Sequence, residues 1–341
     1  MKKKVLALTM VLMMGVSMLA ACGSKVAEEP KTDESSQETA KTTQAVEEPE
    51  VQTEPEGGYK IAVLVKDSVT PFWKYFNDGA KRVGAEVGAE ILEFAPLQTQ
   101  NLEEQVRQVE DAIQQGVDAI VIAPIDSEGI VPAIEKANDA GIPVITSNSK
   151  AAGGQIETFI GVDNYEAAKT LAQYMMDELG GKGNVVIIEG NPAGQTSQDR
   201  VAGFTEIIEQ YPDVELLVSQ PAMFNRDQAM TVMENIIQSN DQIDAVMALN
   251  DEMALGAHQA LQDAGVSGVL ITGFDGALEG LEAIQEGVLY ASLNQAPHDQ
   301  GGEAVRAAVA ILKGNRVEEW IKVGGNVCDS ANAAELLKNF E

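Results

Sequence analysis

Along the chain, short runs of consecutive apolar residues alternate with longer stretches whose apolar positions recur every three or four residues. Residues 60–65, Lys-Ile-Ala-Val-Leu-Val, read as a first strand. Pro71 then opens a helix to about residue 87, where proline is pre-set for the first turn. Residues 91–94, 119–123, 144–146 and 158–160 read as further strands, with helices over 102–115 and 128–140 between them. The Gly141-Ile142-Pro143 step marks a helix stop that leads into a strand. A second series comes next, with strands over 184–189, 215–220, 245–249, 269–273 and 289–293. Its helices fall near 165–179, 197–210, 227–239, 251–264 and 277–286, and one more spans 297–312. Strict strand–helix alternation implies parallel sheets covered by helices on both faces. The expected class is therefore α/β. Two runs meeting near Gly161-Val162-Asp163 predict two doubly wound lobes. Ligands of such sheets bind beyond the carboxyl ends of the strands, a face that becomes a cleft between two lobes.

The amino terminus has another pattern. Lys2, Lys3 and Lys4 precede a mostly apolar run from 5 to 19, and small residues come after it. A charged start, a short apolar run and small residues describe a secretory signal peptide over residues 1–21. Leu19-Ala20-Ala21-Cys22 resembles a bacterial lipobox. That resemblance implies cleavage before Cys22, lipidation of its thiol, and an extracytoplasmic protein held on the cell membrane by acyl chains. Residues 22–58 are rich in Glu, Thr, Ser, Pro, Gln and Lys and have no aromatic until Tyr59. A stretch so poor in apolar surface cannot offset its ordering entropy, so it reads as a tether.

Composition narrows the function. A net charge of −30 opposes nucleic-acid binding, which needs a basic footprint. With Cys22 assigned to lipid, Cys328 is alone of the two cysteines, and no intrachain disulfide is expected. No G-x-S-x-G, CxxC or HExxH pattern occurs. No catalytic constellation, metal site or cofactor is expected, and the chain is read as a non-enzyme. Of the two histidines, His258 lies within a helix and reads as packed or exposed. His298 comes directly after Pro297 beside the expected cleft and is a candidate lining residue.

The informative positions lie just past the strands. They are Thr70-Pro71-Phe72-Trp73, Asn148-Ser149-Lys150, Asn191 with Arg200 on the helix behind it, Phe224-Asn225-Arg226, Asn250-Asp251, Phe274-Asp275 and Asn294-Gln295. Amides and carboxylates suit paired hydroxyls, aromatic faces suit the C–H surface of a sugar ring, and arginine adds a fork of donors. Each residue also has an ordinary reading: Asn250 or Asp275 as a helix N-cap, Phe72 and Trp73 as helix-to-sheet packing.

From about Tyr59 to Ile321 the chain resembles the ribose-type periplasmic sugar-binding proteins of ABC importers. The stretches that carry the resemblance are Thr70-Pro-Phe-Trp73, Ile142-Pro-Val-Ile-Thr146, Arg200-Val-Ala-Gly-Phe204, Ser219-Gln-Pro-Ala-Met-Phe-Asn-Arg226, Asn250-Asp-Glu-Met-Ala-Leu-Gly256 and Gly273-Phe-Asp-Gly276. The resemblance implies two Rossmann-like lobes joined by a multi-crossover hinge. One would hold 59–162 plus 296–322, the other 163–295 plus 323–341. It implies ring stacking by Phe72, Trp73 and Phe224, and hydrogen bonding by Arg200, Asn250, Asp275 and Gln295; Asn148, at a position where the chain departs from the family, completes the expected substrate-binding set. Its partners would be a sugar or polyol and a membrane permease with a cytoplasmic ATPase, served by a monomer. The sugar-responsive repressors of this fold carry an amino-terminal helix-turn-helix, where this chain has a signal peptide and tether. A sensor that presents a bound sugar or furanosyl autoinducer to a receptor is the alternative. Ribose binders have Asp-Arg at the position of Asn148-Ser149 and Asn at that of Thr70. These departures point to another polyhydroxylated ligand, with Lys150 as a partial replacement for the lost charge.

Overall fold

A computed structural model describes residues 58–340. The signal peptide, Cys22 and the tether lie outside the described residues. Among these residues no helix is long and apolar enough to cross a membrane.

The first series runs β1 (Lys60–Leu64), α1 (Pro71–Val87), β2 (Glu90–Phe94), α2 (Leu102–Gln114), β3 (Ala119–Ile122), α3 (Val131–Asp139), β4 (Val144–Ser147) and β5 (Thr158–Gly161). The second runs α4 (Asn164–Leu179), β6 (Lys182–Glu189), α5 (Gln195–Ile208), β7 (Asp213–Pro221), α6 (Arg226–Ser239), β8 (Ala245–Ala248), α7 (Asp251–Asp263), β9 (Leu270–Thr272), α8 (Leu278–Gln285) and β10 (Ser292–Asn294). Then come α9 (Pro297–Leu312), β11 (Trp320–Lys322), β12 (Asn326–Cys328), α10 (Ala333–Leu336) and a 3₁₀ turn, Leu337–Phe340.

One sheet has the order β11-β5-β4-β3-β1-β2 and is parallel throughout. The other has the order β7-β6-β8-β9, also parallel. Bridges Thr272–Ala291 and Asp275–Asn294 extend it to β10, which pairs antiparallel with β12. The order turns between β1 and β3 in one sheet and between β6 and β8 in the other, where crevices open at the carboxyl ends. Both faces of the first sheet are packed, one around Val63, Phe76 and Val305, the other around Leu64, Ile120 and Ile134. A separate core around Val186, Phe204, Met247 and Phe274 holds the second. The chain passes between these bodies three times: after β5, between β10 and α9, and between β11 and β12.

Three local differences from the periodicity have physical causes. Helix α3 starts at Val131, not 128, because Asp126 Oδ1 accepts from the backbone N–H groups of Glu128 and Gly129 at 3.0 and 2.8 Å. That turn holds the residues outside the helix, and proline then fits its first turn. The strand expected over 289–293 is shortened to β10, because its parallel pairing is reduced to two isolated bridges, Thr272–Ala291 and Asp275–Asn294. Strands β11 and β12 have three residues each, too few to show a period.

Helices α1 and α9 approach so closely that only glycine fits between them. A Cβ on Gly301 would lie 1.9 Å from the Phe76 carbonyl oxygen, and one on Gly79 would lie 2.0 Å from that of His298. This contact fixes α1, whose first turn carries Phe72 and Trp73.

Candidate ligand-binding site

Thirteen residues from both lobes line one cavity. The eight residues expected to contact a ligand all line it: Phe72, Trp73, Asn148, Arg200, Phe224, Asn250, Asp275 and Gln295. Lys66, Asp67, Thr70, Gln100 and Thr196 complete the lining.

Phe72 and Trp73 are buried and meet edge-to-face, with centroids 4.9 Å apart. Their helix starts where Asp67 gathers the preceding loop. Its carboxylate accepts from the N–H groups of Val69 and Thr70 and from the Thr70 hydroxyl, at 3.0, 2.7 and 3.0 Å. Phe224 faces them from the second lobe with a left-handed backbone, φ 57°. It fits because position 190 is glycine: a Cβ there would lie 2.0 Å from its ring. Its loop is held to α7 by Arg226, whose guanidinium donates twice to Glu252 at 2.9 and 2.6 Å.

Arg200, only 1% exposed, is the central donor. Nε donates to Asn164 Oδ1 at 2.8 Å, one terminal nitrogen to the Leu249 carbonyl at 2.6 Å, and the other to Gln295 Oε1 at 2.9 Å. The guanidinium carbon lies 3.6 Å from the Phe274 ring centroid, a stacked arrangement that compensates for lost hydration. Burial pulls its pKa down, and Asp275, Asp251 and Asp199 oppose this, so it remains a cation. Gln295 also accepts from Asn148 Nδ2 at 3.1 Å and donates to Asp275 Oδ1 at 2.8 Å. The Asp275 carboxylate accepts a further bond from Asp251 N–H at the start of α7, at 3.2 Å. Burial holds Asp275 well above the usual carboxylate range, Asp251 adds to the effect, and Arg200 pulls it back. Burial raises Asp251 itself to about 6, against the Ser292 hydroxyl and the Ala277 N–H that bond it.

Asn250 caps α7 and lines the cavity. Its Oδ1 accepts from Met253 N–H at 2.9 Å, which leaves its amide N–H groups for a ligand. The two readings of that residue are therefore one geometry. Asn148 has φ 62°, and its carbonyl accepts from the Thr196 hydroxyl at 3.1 Å, a bond across the lobes. Asn191 makes another, from its amide to Gln100 Oε1 at 2.9 Å.

Two expectations are corrected. His298 does not reach this cavity. It packs against Tyr75 and Phe340, with centroids 5.4 and 5.1 Å away, because α9 turns its first residues onto α1. Lys150 points away, over Trp320 at 4.1 Å and Phe159 at 5.0 Å. The cation that sequence reasoning missed is Lys66, two residues beyond β1, with Nζ 5.9 Å from the Trp73 ring and 5.7 Å from that of Phe224. Its signal was in the apolar run, which stops at Val65 and gives way at once to Lys66-Asp67. Its pKa is pulled down to about 7, by burial first and by Arg200 beside it, while Asp67 and Asp275 oppose the shift. Among the described residues no group of three or more His, Cys, Asp or Glu could hold a metal ion. Cys328 is buried, and burial pushes its thiol up to about 12, which leaves it unreactive.

Two parallel-sheet lobes with a polar, aromatic-lined cavity between them define a ligand-receiving protein. The family model for the periplasmic binding protein domain matches residues 61–316. The chain is 36% identical over 263 residues to the ribose import binding protein of Bacillus subtilis, covering 77% of this chain and 85% of that one. A solute-binding protein of an ABC transporter from Bacillus halodurans, solved with bound myo-inositol, is 31% identical with a TM-score of 0.76. That match covers 84% of this chain and 99% of the other. The fructose-binding periplasmic domain of a hybrid two-component system superposes with a TM-score of 0.78 at 26% identity, covering 83% and 94%. The chain belongs to the periplasmic binding protein family.

Proposed function

We propose that this protein is an extracytoplasmic receptor that captures a monosaccharide or related polyol between its lobes and delivers it to an ABC import permease. The observation that carries this reading is the linked set Asn148, Gln295, Arg200 and Asp275, which draws on both lobes and faces the rings of Phe72, Trp73 and Phe224. Carboxylate and amide groups match paired hydroxyls, and the rings match C–H faces. A molecule touching both lobes favours their closed arrangement by its differential affinity, and the closed form is what the permease receives. The bodies that move are 59–162 plus 296–322 and 163–295 plus 323–341. The receptor acts as a monomer, held on the outer face of the membrane through lipid on Cys22. Asn148-Ser149 in place of a charged pair directs the choice toward a polyol other than ribose.

A thermal-shift panel of pentoses, hexoses, inositols, deoxysugars and nucleosides tests the reading. A ligand at 100 times its Kd should stabilise by about 2.7 kcal/mol. Arg200→Ala and Asp275→Ala should each remove most of that shift. Stabilisation by an amino acid or peptide, and by no polyol, would refute the assignment. Labelling with radioactive palmitate in cells, lost in Cys22→Ala, tests the anchor.

Similarity to a two-component sensor domain favours a second reading, in which bound sugar is presented to a membrane receptor. Deletion separates the two. Import predicts loss of uptake of the bound polyol, while sensing predicts intact uptake with loss of a transcriptional response.

A further inference from the structure

We infer that Asp251, which does not line the cavity, is the positioning residue that aims the Asp275 carboxylate at a captured polyol. The inference rests on the capture reading and deepens it.

An acidic residue in the first turn of a helix ordinarily complements the helix dipole. Asp251 opens α7, but it is 3% exposed, and both of its carboxylate oxygens bond other segments. Oδ1 accepts from the Ser292 hydroxyl at 2.5 Å, and Oδ2 accepts from the Ala277 N–H at 3.3 Å. A hydroxyl has one proton. With that proton on Asp251, the Ser292 lone pairs face the N–H groups of Asp275 and Gly276, each at 3.2 Å. The Asp251 N–H closes the ring by donating to Asp275 Oδ2 at 3.2 Å. The backbone and the side chain of Asp275 are thus tied to Asp251 by separate bonds. Gln295, directly after β10, joins the same unit, because its N–H donates to the Asp275 carbonyl at 2.8 Å.

Two glycines make room for this carboxylate. A Cβ on Gly273, just past β9, would lie 2.0 Å from Oδ1, and one on Gly280, within α8, would lie 2.1 Å from Oδ2. An acceptor held in place before binding loses less freedom when a hydroxyl reaches it. Asp251 therefore contributes to affinity without touching the ligand. Asp251→Asn leaves one acceptor oxygen for two donors, so either Ser292 or Ala277 loses its partner and the 274–277 loop shifts.

The test is titration of the intact protein with ribose, D-allose, D-fructose, xylitol and myo-inositol, read by tryptophan fluorescence, since Trp73 lines the cavity. Whichever of the five binds wild type most tightly is the probe. Asp251→Asn and Ser292→Ala are each measured alone and in an Asp275→Asn background, with circular dichroism and the unliganded Tm as reports of folding. Each single variant should weaken binding by about tenfold. With no carboxylate left to aim, the same change in the Asp275→Asn background should weaken it by less than about threefold. A purely structural role predicts a lower Tm with an unchanged Kd. A Kd in either folded single variant within about threefold of wild type, or an undiminished loss in the Asp275→Asn background, would overturn the inference while leaving the capture reading intact. If one variant fails to fold, the other decides. Failure of wild type to bind any of the five would overturn the capture reading, and this inference with it.

Discussion

Asn148 and Gln295 stand 147 residues apart in sequence, yet the amide of one donates to the side-chain oxygen of the other at 3.1 Å. That oxygen also takes a bond from Arg200 at 2.9 Å, so one acceptor serves two buried donors from different lobes. Gln295→Ala should strand both, together with the side of Asp275 that faces it. Leaving a buried donor unsatisfied costs about 1–3 kcal/mol. Polyol affinity should fall by at least tenfold, with lower unliganded stability. Calorimetry and urea melts would read the two effects, and unchanged values in both would show that the network is not held together at this residue.

Gly190 and Phe224 supply a second prediction. Gly190→Ala places a methyl group against the ring, which must leave its seat. Overpacking of this kind costs about 1–3 kcal/mol. In a Phe224→Ala background the same substitution should cost almost nothing. A double-mutant cycle measures this coupling, and additive costs would locate the strain elsewhere.

The α1–α9 contact predicts a graded series. Gly301→Ala meets the Phe76 carbonyl oxygen at 1.9 Å, whereas Gly302→Ala meets the Val83 side chain at 2.9 Å and a backbone oxygen, that of Gly79, only at 3.6 Å. A backbone atom cannot move aside as a side chain can. Gly301→Ala should therefore lose about 2–3 kcal/mol and Gly302→Ala distinctly less, both read from denaturant midpoints. Because α1 carries Phe72 and Trp73, Gly301→Ala should also weaken polyol binding.

Lys66 gives a pH signature. Its pKa in the folded protein is lowered to about 7, against about 10.4 when unfolded. Between those values the unfolded chain binds more protons than the native one, so stability rises with pH. Below pH 7 both states are charged, and the native state bears the full cost of the buried ammonium. The unliganded wild type should thus gain stability between about pH 7 and pH 10 relative to Lys66→Met. Parallel urea-melt profiles for the two proteins would contradict the assignment.

Much of the fold and site was legible because a parallel α/β lobe writes itself as strand-length apolar runs with chemistry at their ends. Phe72, Asn148, Asn250 and Asp275 all stand close behind a strand, and the cavity gathers them. Lys66 was less visible because it directly abuts an apolar run and is overshadowed by the conspicuous Thr-Pro-Phe-Trp stretch four residues on. His298 and Lys150 were misplaced because side-chain direction near a helix start or a strand end is decided by packing. One turns to Tyr75 and Phe340, the other to Trp320. Neither neighbourhood is visible in a one-dimensional pattern. Strands β11 and β12 are set by pairing with β5 and β10, not by their own three residues.

The three passages of the chain between the sheets bear on how the protein is made. The first sheet receives its edge strand β11 from residues 320–322, and α9 packs onto α1 from residues 297–312. Both are synthesised after the whole of β6 to β10. A growing chain therefore has no finished first domain to fold while the second is being built. Each half waits on the last few dozen residues, and a chain stopped short of them leaves both halves incomplete.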